Sequence, residues 1–206
     1  MRLGVEAALV DGLLVAGDVE VEDGCVVAVA VSSPGGRGIA VPGFLDLQVN
    51  GFGGVDFLDA DVAGYRRAGE ALLETGVTAY LPTLITSPEQ QLLAAMREVP
   101  VGEARPRILG MHLEGPFLSP NRLGTHESSS RRDPDSALLD RLLDAGPVRL
   151  MTLAPELARA REFFAGPFSK DAYFPRGERQ GHWQDWAIAR VLIREAEKPG
   201  AAGNPR

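Results

Sequence analysis

The residues most able to do chemistry lie in one stretch, Ile108 to His126, which spells ILGMHLEGPFLSPNRLGTH. The apolar run at 108–113 predicts a buried strand that leads into a loop rich in Gly and Pro. His112 and Glu114 are two residues apart, so a continuing strand places both side chains on one face, with Glu114 at the strand end. Because ligands and catalytic groups gather at the C-terminal ends of strands in α/β proteins, the pattern predicts a site here.

Each of these residues also has a purely structural interpretation. A carboxylate at a strand end is often only a cap or a solvated charge, and a single His is more often hydrogen-bonded in a core than bound to a metal. From the spacing alone, both interpretations stay open for Glu114, His112 and His126.

Size and composition exclude several classes of protein. The 206 residues, 45% hydrophobic and 24% charged, are typical of a globular chain and exclude disorder and collagen. The net charge of −7 argues against nucleic acid or a membrane surface as a partner, because both need a basic face. Cys25 is the single cysteine, so no internal disulfide is expected. The sequence shows no signal peptide and no membrane-spanning run, so we expect a cytoplasmic protein.

Residues 1–40 are expected to form a small β domain. Asp11-Gly12 and Asp23-Gly24 interrupt runs that partly alternate apolar and polar residues, which indicates antiparallel strands joined by tight turns. The segment SSPGGRG at 32–38 is predicted to be a loop or linker.

From Val41 onward, strand-like and helix-like segments alternate, which is typical of βα units around a parallel sheet. About four units predict an α/β fold that is a partial (β/α) TIM-type barrel, since a closed barrel has eight. The predicted strands are Phe44–Val49, Val77–Thr83, Ile108–Leu113 and Val148–Leu153. The first predicted helix is Val62–Thr75, ended by Gly76. The second is capped by Ser87, has Pro88 at its first position and ends at about Glu98. The third begins at Asp133-Pro134 and ends at Gly146.

Four segments make the sequence resemble the N-acetylglucosamine-6-phosphate deacetylase family of the amidohydrolase superfamily. They are VPGFLDLQVNGFGGVDF at 41–57, GVTAYLPTLITSP, HLEGPFLSPNRLGTH and MTLAPE. The resemblance ends near Glu156 and implies a metal-containing (β/α) barrel with a small β-sandwich. We therefore expect a β-sandwich portion at 1–40, the first half of the barrel at 41–156, and a tail at 157–206 with one helix, Trp183–Glu197.

The resemblance also implies an activity. Family members hydrolyse the acetamido group of N-acetylglucosamine 6-phosphate to glucosamine 6-phosphate and acetate, in amino sugar catabolism. One divalent cation per subunit, Zn or similar, activates a water and polarises the amide carbonyl. Carried over to this sequence, Glu114 is a metal ligand, Thr125 and His126 bind the sugar, and Gln48 binds water or substrate. The partner implied is a small amino sugar phosphate, and the complete enzyme is expected to be a homo-oligomer, a dimer.

Several features depart from the family pattern. Gln48 and Asn50 stand where many amidohydrolases have an HxH pair, and amides are poor ligands for a Zn-like ion, so no second metal is expected. His112 is interpreted as a packing or positioning residue, and Asn50 as a loop-shaping one. No catalytic residue is identified, because the family supplies two further His and a proton-transferring Asp from the second half of its barrel. We therefore expect a truncated, frameshifted or chimeric chain with impaired activity.

Two other functions stay open. The missing donors favour a non-catalytic fragment that binds a sugar or a partner chain. Another amidohydrolase, such as a dihydroorotase-like enzyme, is disfavoured because Gln48 and Asn50 replace its HxH pair. In the tail, His182 is not expected to bind metal, and Asp171 and Asp185 are interpreted as surface residues.

Overall fold

The structure is a computed structural model that describes residues 1–32, 35–102, 105–158, 160 and 189–192. The chain divides into two compact units, Met1–Phe44 and the remainder from Leu45 onward. Among the described residues, no helix is both long enough and apolar enough to span a bilayer.

The first unit contains two β-hairpins. Strands β1 (Ala7–Val10) and β2 (Leu13–Ala16) pair antiparallel, as do β3 (Asp18–Glu22) and β4 (Cys25–Val31). Both Asp-Gly turns have positive φ at both residues, which is the conformation that two-residue hairpin loops require. The predicted antiparallel strands are thus confirmed, and a short strand, β5 (Ile39–Ala40), adds in parallel to β1.

The second unit alternates strands and helices around one sheet. In chain order its elements are β6 (Phe44–Val49), β7 (Gly51–Phe52), β8 (Val55–Asp56), α1 (Val62–Leu73), β9 (Val77–Ile85), α2 (Glu89–Glu98), β10 (Arg107–Ile108), β11 (Met111–Glu114), α3 (Ser136–Ala145), β12 (Val148–Leu153) and β13 (Ala189–Leu192). β9 pairs with β6 and, in parallel, with β10 and β11, and β11 pairs in parallel with β12. This confirms a parallel sheet built from βα units.

The three helices bury their apolar faces in the core of this unit. Each contributes leucines and other apolar side chains at helical spacing, because one stripe of an amphipathic helix must leave water. The buried side chains include Tyr65 and Leu72 of α1, Leu92 and Met96 of α2, Leu139 and Leu142 of α3, and Leu84, Leu113 and Met151 of the strands.

The predicted third strand, Ile108–Leu113, is divided in the structure. It forms β10 and β11, with a break at Leu109-Gly110. Gly110 has φ 144°, and a Cβ added there would lie 2.6 Å from the carbonyl oxygen of Pro147. The break follows from this close backbone approach between segments distant in sequence, which the local pattern does not contain.

Two helix starts also differ from prediction. Ser87 does not cap α2, because its hydroxyl donates to the carbonyl oxygen of Ile85, and Pro88 occupies the cap position without a side-chain hydrogen bond. α3 is capped by Asp135, whose carboxylate accepts from the backbone N–H of Leu138, because Asp133 forms an ion pair with Arg131 instead.

The helix predicted at Trp183–Glu197 is wrong where the structure describes it. Residues 189–192 form β13, which pairs antiparallel with β12. The exposed edge of a strand carries unpaired N–H and C=O groups, and pairing with them outweighs a weak helical pattern. The rest of the predicted helix lies outside the described residues, as do His182, Asp171 and Asp185.

Tyr80 of β9 is a fully buried residue that gives the fold a pH dependence. Its ring stacks on Phe57 with centroids 5.9 Å apart, and its hydroxyl has no hydrogen-bond partner among the described residues. Burial raises the pKa of Tyr80 from 10.0 to about 12. The contribution of the protonated Tyr80 side chain to the unfolding free energy is therefore fully present below pH 10. It is lost as the pH rises toward 12, because the Tyr80 hydroxyl ionises at a lower pH in the unfolded chain than in the folded one.

We predict that Tyr80→Phe flattens the fall of the unfolding free energy between pH 10 and 12. The slope should decrease by up to about 1.4 kcal/mol per pH unit, the value for one proton. At pH 7 the variant should be at least as stable as wild type, because it lacks a buried unpaired hydroxyl. Urea denaturation at a series of pH values measures both, and identical alkaline slopes would contradict the prediction.

Candidate active site

A buried histidine connects the strands beneath the site. The His112 imidazole in β11 places Nδ1 3.1 Å from Thr83 Oγ1 of β9 and Nε2 2.8 Å from Thr152 Oγ1 of β12. His112 is fully buried, and a buried polar ring is stable only when its nitrogens are hydrogen-bonded. The structure therefore gives His112 a role in packing and positioning, in agreement with the sequence interpretation.

Glu114 ends β11, two residues beyond His112, and the backbone turns sharply after it. The Thr86 hydroxyl donates to the carbonyl oxygen of Glu114 at 3.0 Å. The backbone N–H of Gly115 donates to the backbone carbonyl oxygen of Thr152 at 2.9 Å. Gly115 has φ 92°, and a Cβ added there would collide with Thr86 Oγ1. Only glycine fits this turn, which leaves the Glu114 side chain at the end of the strand.

The loop after β11 returns His126 to Glu114. Two backbone hydrogen bonds tighten this loop, from the N–H of Arg122 to the carbonyl of Ser119 and from that of His126 to the carbonyl of Leu123. They bring His126 Nε2 to 3.9 Å from Glu114 Oε1, with the two side chains 11% and 19% exposed. His126 Nδ1 is buried and has no hydrogen-bond partner among the described residues.

A cavity of about 420 Å³ opens over these groups at the C-terminal ends of β11 and β12. Ligand sites of this size combine apolar walls with polar groups that orient the ligand. The polar or charged lining residues are Glu114, Ser119, Asn121, Arg122, Thr125, His126, Thr152 and Glu156, and the apolar ones include Leu118, Leu123, Leu153 and Ala154.

The cavity brings together three of the four predicted site residues. Glu114, Thr125 and His126 all line it. Gln48 does not, because it lies at the end of β6, half-buried, with its N–H donating to the Asp46 carboxylate at 3.0 Å. Asn50 is exposed, and its carbonyl accepts from the N–H of Phe57 at 3.1 Å, consistent with a loop-shaping role.

Comparison with known proteins gives consistent matches. No family model matches the chain. The N-acetylglucosamine-6-phosphate deacetylase of Homo sapiens is 43% identical over 138 residues, which are 62% of this chain and 34% of that protein. The enzyme of Haemophilus influenzae is 39% identical over 119 residues, 55% of this chain and 31% of that protein. The chain thus spans about a third of the length of the curated relatives it matches.

Solved structures give the same result. A crystal structure of N-acetyl-D-glucosamine-6-phosphate deacetylase from Mycobacterium smegmatis has a TM-score of 0.68 and 34% identity, over 79% of this chain and 49% of that one. A variant of that enzyme in complex with N-acetyl-D-glucosamine-6-phosphate matches with the same TM-score and identity, over 45% of its length. The chain matches the N-terminal part of N-acetylglucosamine-6-phosphate deacetylases. The resemblance expected from the four sequence segments is confirmed.

Five polar or charged cavity residues of this deacetylase-like chain were missed by sequence reasoning. Ser119, Asn121 and Arg122 lie in the recognised loop, and Thr152 and Glu156 lie in or just after β12, in the segment MTLAPE that carries part of the resemblance. The available signal was their position after neighbouring parallel strands, because the C-terminal ends of such strands meet at one edge of a sheet.

The implied metal can be tested against the donors that the structure describes. Glu114 and His126 are close enough to share an ion, but no group of three or more His, Cys, Asp or Glu in the described ranges could hold one. A catalytic zinc site normally has about three protein ligands. The described part of this deacetylase-like chain therefore does not form a complete metal site by itself.

We predict that Gly115→Ala destabilises the protein more than Gly124→Ala, its matched control. Both glycines have positive φ, but an added Cβ has open space at Gly124 and meets Thr86 Oγ1 at Gly115. Left-handed strain alone costs about 1–2 kcal/mol, and the steric conflict adds about 1–3 kcal/mol at Gly115. Urea denaturation of the two variants measures the difference, and equal losses would contradict the geometry of the turn.

Proposed function

We propose that the cavity binds N-acetylglucosamine 6-phosphate and that the chain is the N-terminal part of an enzyme that hydrolyses its acetamido group to glucosamine 6-phosphate and acetate. The convergence of Glu114 and His126 on one cavity carries the proposal. It is supported by the 34% identity to an enzyme whose variant was solved with this sugar phosphate.

The architecture in this proposal is the first half of a (β/α) TIM-type barrel at 41–156, with a β-sandwich portion at 1–40. The parallel pairing of β9, β11 and β12 with intervening helices supports it. The antiparallel β13 at the edge of β12 departs from such a barrel, whose strands are all parallel. A cytoplasmic location and a homodimer of the complete enzyme also belong to the proposal and rest on the resemblance.

Specific roles follow from the chemistry of the cavity residues. Thr125 and His126 both line the cavity and carry polar groups, so both can exchange hydrogen bonds with sugar hydroxyls. We assign Glu114 as the donor of this chain to one divalent cation, Zn or similar, with further donors from outside the described residues. Gln48 is a further candidate for substrate contact, although it lies outside the cavity lining. The described residues alone supply no hydrolytic step.

The second candidate function is sugar binding without turnover. The observation that favours it is the incomplete set of donors, since Glu114 and His126 are joined by no third potential ligand in the described ranges. Such a chain would keep the polar cavity and its affinity for an amino sugar phosphate but would release no acetate.

We predict that Glu114→Gln lowers acetate release from N-acetylglucosamine 6-phosphate by at least about 100-fold, because it replaces the carboxylate assigned as this chain's donor to the cation with a poorly ligating amide. Glu70→Gln, an exposed carboxylate on α1, is the matched control and should leave the rate unchanged. Acetate is measured by an enzyme-coupled assay with added Zn²⁺, and binding of Zn²⁺ and of the sugar phosphate by calorimetry.

The outcomes separate the two candidates. Turnover lost only in Glu114→Gln supports the deacetylase. Sugar binding without acetate release in the wild-type chain supports the non-catalytic candidate. A wild-type chain that neither binds the sugar phosphate nor releases acetate contradicts both.

A further inference from the structure

Three side chains of the sheet form a series of hydrogen bonds that ends at the cavity. His112 Nδ1 lies 3.1 Å from Thr83 Oγ1, and His112 Nε2 lies 2.8 Å from Thr152 Oγ1. Each of the three residues is at most 2% exposed, so water does not replace these contacts. Thr152 alone of the three lines the cavity. What its hydroxyl offers to a ligand therefore depends on where the protons lie along this series.

The positions of the protons are determined at the end of the series that is farther from the cavity. The Thr83 hydroxyl donates to the backbone carbonyl oxygen of Leu81 at 3.4 Å. Because a hydroxyl has one proton, Thr83 Oγ1 accepts from His112, and an imidazole proton is on Nδ1. A second proton would place a charge at a fully buried position, which is costly, so Nε2 keeps its lone pair. Nε2 therefore accepts the proton of the Thr152 hydroxyl, and the hydrogen bonds all run from the cavity into the sheet.

This direction makes the Thr152 hydroxyl an acceptor toward the cavity. Its proton is directed at His112 Nε2, and His112 is its sole hydrogen-bond partner in the described part of the chain. The remaining lone pairs can only accept, so a ligand group that meets this oxygen has to be a donor. Thr152 is the register partner of Glu114 on the neighbouring strand, and its contact with His112 places it on the face that His112 and Glu114 share.

The acetamido group is the part of the proposed ligand that suits an acceptor beside Glu114. The proposed function assigns Glu114 to the hydrolysis of this group, which therefore lies near it in the cavity. The acetamido N–H can donate but cannot accept, whereas the sugar hydroxyls can do both. A donor that enters a cavity without meeting an acceptor loses its hydrogen bonds to water, so the N–H has the greater need of such an oxygen.

We propose that Thr152 binds the ligand by accepting a hydrogen bond from the acetamido N–H, and that His112 is the positioning residue that keeps the Thr152 hydroxyl an acceptor. The proposal rests on the proposed function for the identity of the ligand, whereas the direction of the hydrogen bonds is a property of the chain without ligand. It gives the cavity a preference for an amide over an ester on carbon 2 of the sugar, because an ester oxygen has no proton to donate.

The direction of the hydrogen bonds is tested by nitrogen NMR of the ligand-free chain with isotopically labelled histidine. The chain has three His, so a variant with His126→Gln and His182→Gln assigns the signals of His112. We expect a proton on Nδ1 and none on Nε2, since protonated and unprotonated ring nitrogens give separate signals. Thr152→Ser keeps the hydroxyl and should give the same pattern. A proton on Nε2, alone or together with one on Nδ1, overturns the proposal whatever the chain binds.

The ligand contact is tested by isothermal titration calorimetry with two ligands. N-acetylglucosamine 6-phosphate carries the N–H, and 2-O-acetylglucose 6-phosphate has an ester oxygen in its place. Thr152→Val keeps the shape without the acceptor and should bind the amide about 3- to 10-fold more weakly than wild type, the range for one neutral hydrogen bond. It should bind the ester within about twofold of wild type, because that ligand makes no such bond. Thr152→Ser, the matched control, should bind the amide within about twofold of wild type.

The remaining results separate this inference from the proposed function. If Thr152→Val binds the amide like wild type, or weakens both ligands equally, Thr152 does not contact the N–H, and the proposed function stands. If Thr152→Val does not fold, the wild-type chain decides, because equal affinities for the amide and the ester overturn the contact and a tighter amide supports it. If the wild-type chain binds neither ligand, the proposed function fails and the ligand contact fails with it.

Discussion

The buried imidazole of His112 is the interaction on which the site depends. Its two nitrogens engage the hydroxyls of Thr83 and Thr152, so one side chain links β11 to both neighbouring strands. A register slip of either neighbour would leave a ring nitrogen unpaired in the core, which costs about 1–3 kcal/mol. The contact therefore specifies the register in which Glu114 lies opposite Ile85 and Thr152 at the strand end.

The loop that follows is fixed to the same framework. The N–H of Ala154 donates to the carbonyl of Phe117, and Arg131 Nε donates to the carbonyl of Leu118 at 2.8 Å. Phe117 is fully buried, so the loop contributes its own anchor to the core. The cavity walls from β11, the loop and the end of β12 are thus held in place by hydrogen bonds to the backbone and by burial of Phe117.

Much of this framework could be predicted from local sequence. The strands Phe44–Val49 and Val148–Leu153 were predicted with the observed bounds, because apolar runs between turn signals determine them locally. The break at Gly110 and the strand at 189–192 were not predicted, because each depends on a segment distant in sequence. The break depends on the backbone of Pro147, and the strand depends on the edge of β12. Such long-range contacts cannot be predicted from the hydrophobic periodicity of a short stretch of sequence.

The site shows the same division. Glu114 at the end of β11 and Thr125 and His126 in the loop after it lie in a single recognised stretch. Glu156, in contrast, reaches the cavity from the segment after β12. The contact between His112 and Thr152 joins residues 40 positions apart, and spacing alone left the role of His112 open. The resemblance already indicated a packing or positioning role for His112, and the fold adds its two threonine partners.

The central claim is that this cavity is where an amino sugar phosphate binds. Amide hydrogen exchange of the full chain with and without N-acetylglucosamine 6-phosphate tests it most directly, because exchange reports on each backbone segment. The account predicts slower exchange at 114–126 and 152–156, the segments that line the cavity. Unchanged exchange in these two segments at saturating ligand would contradict it.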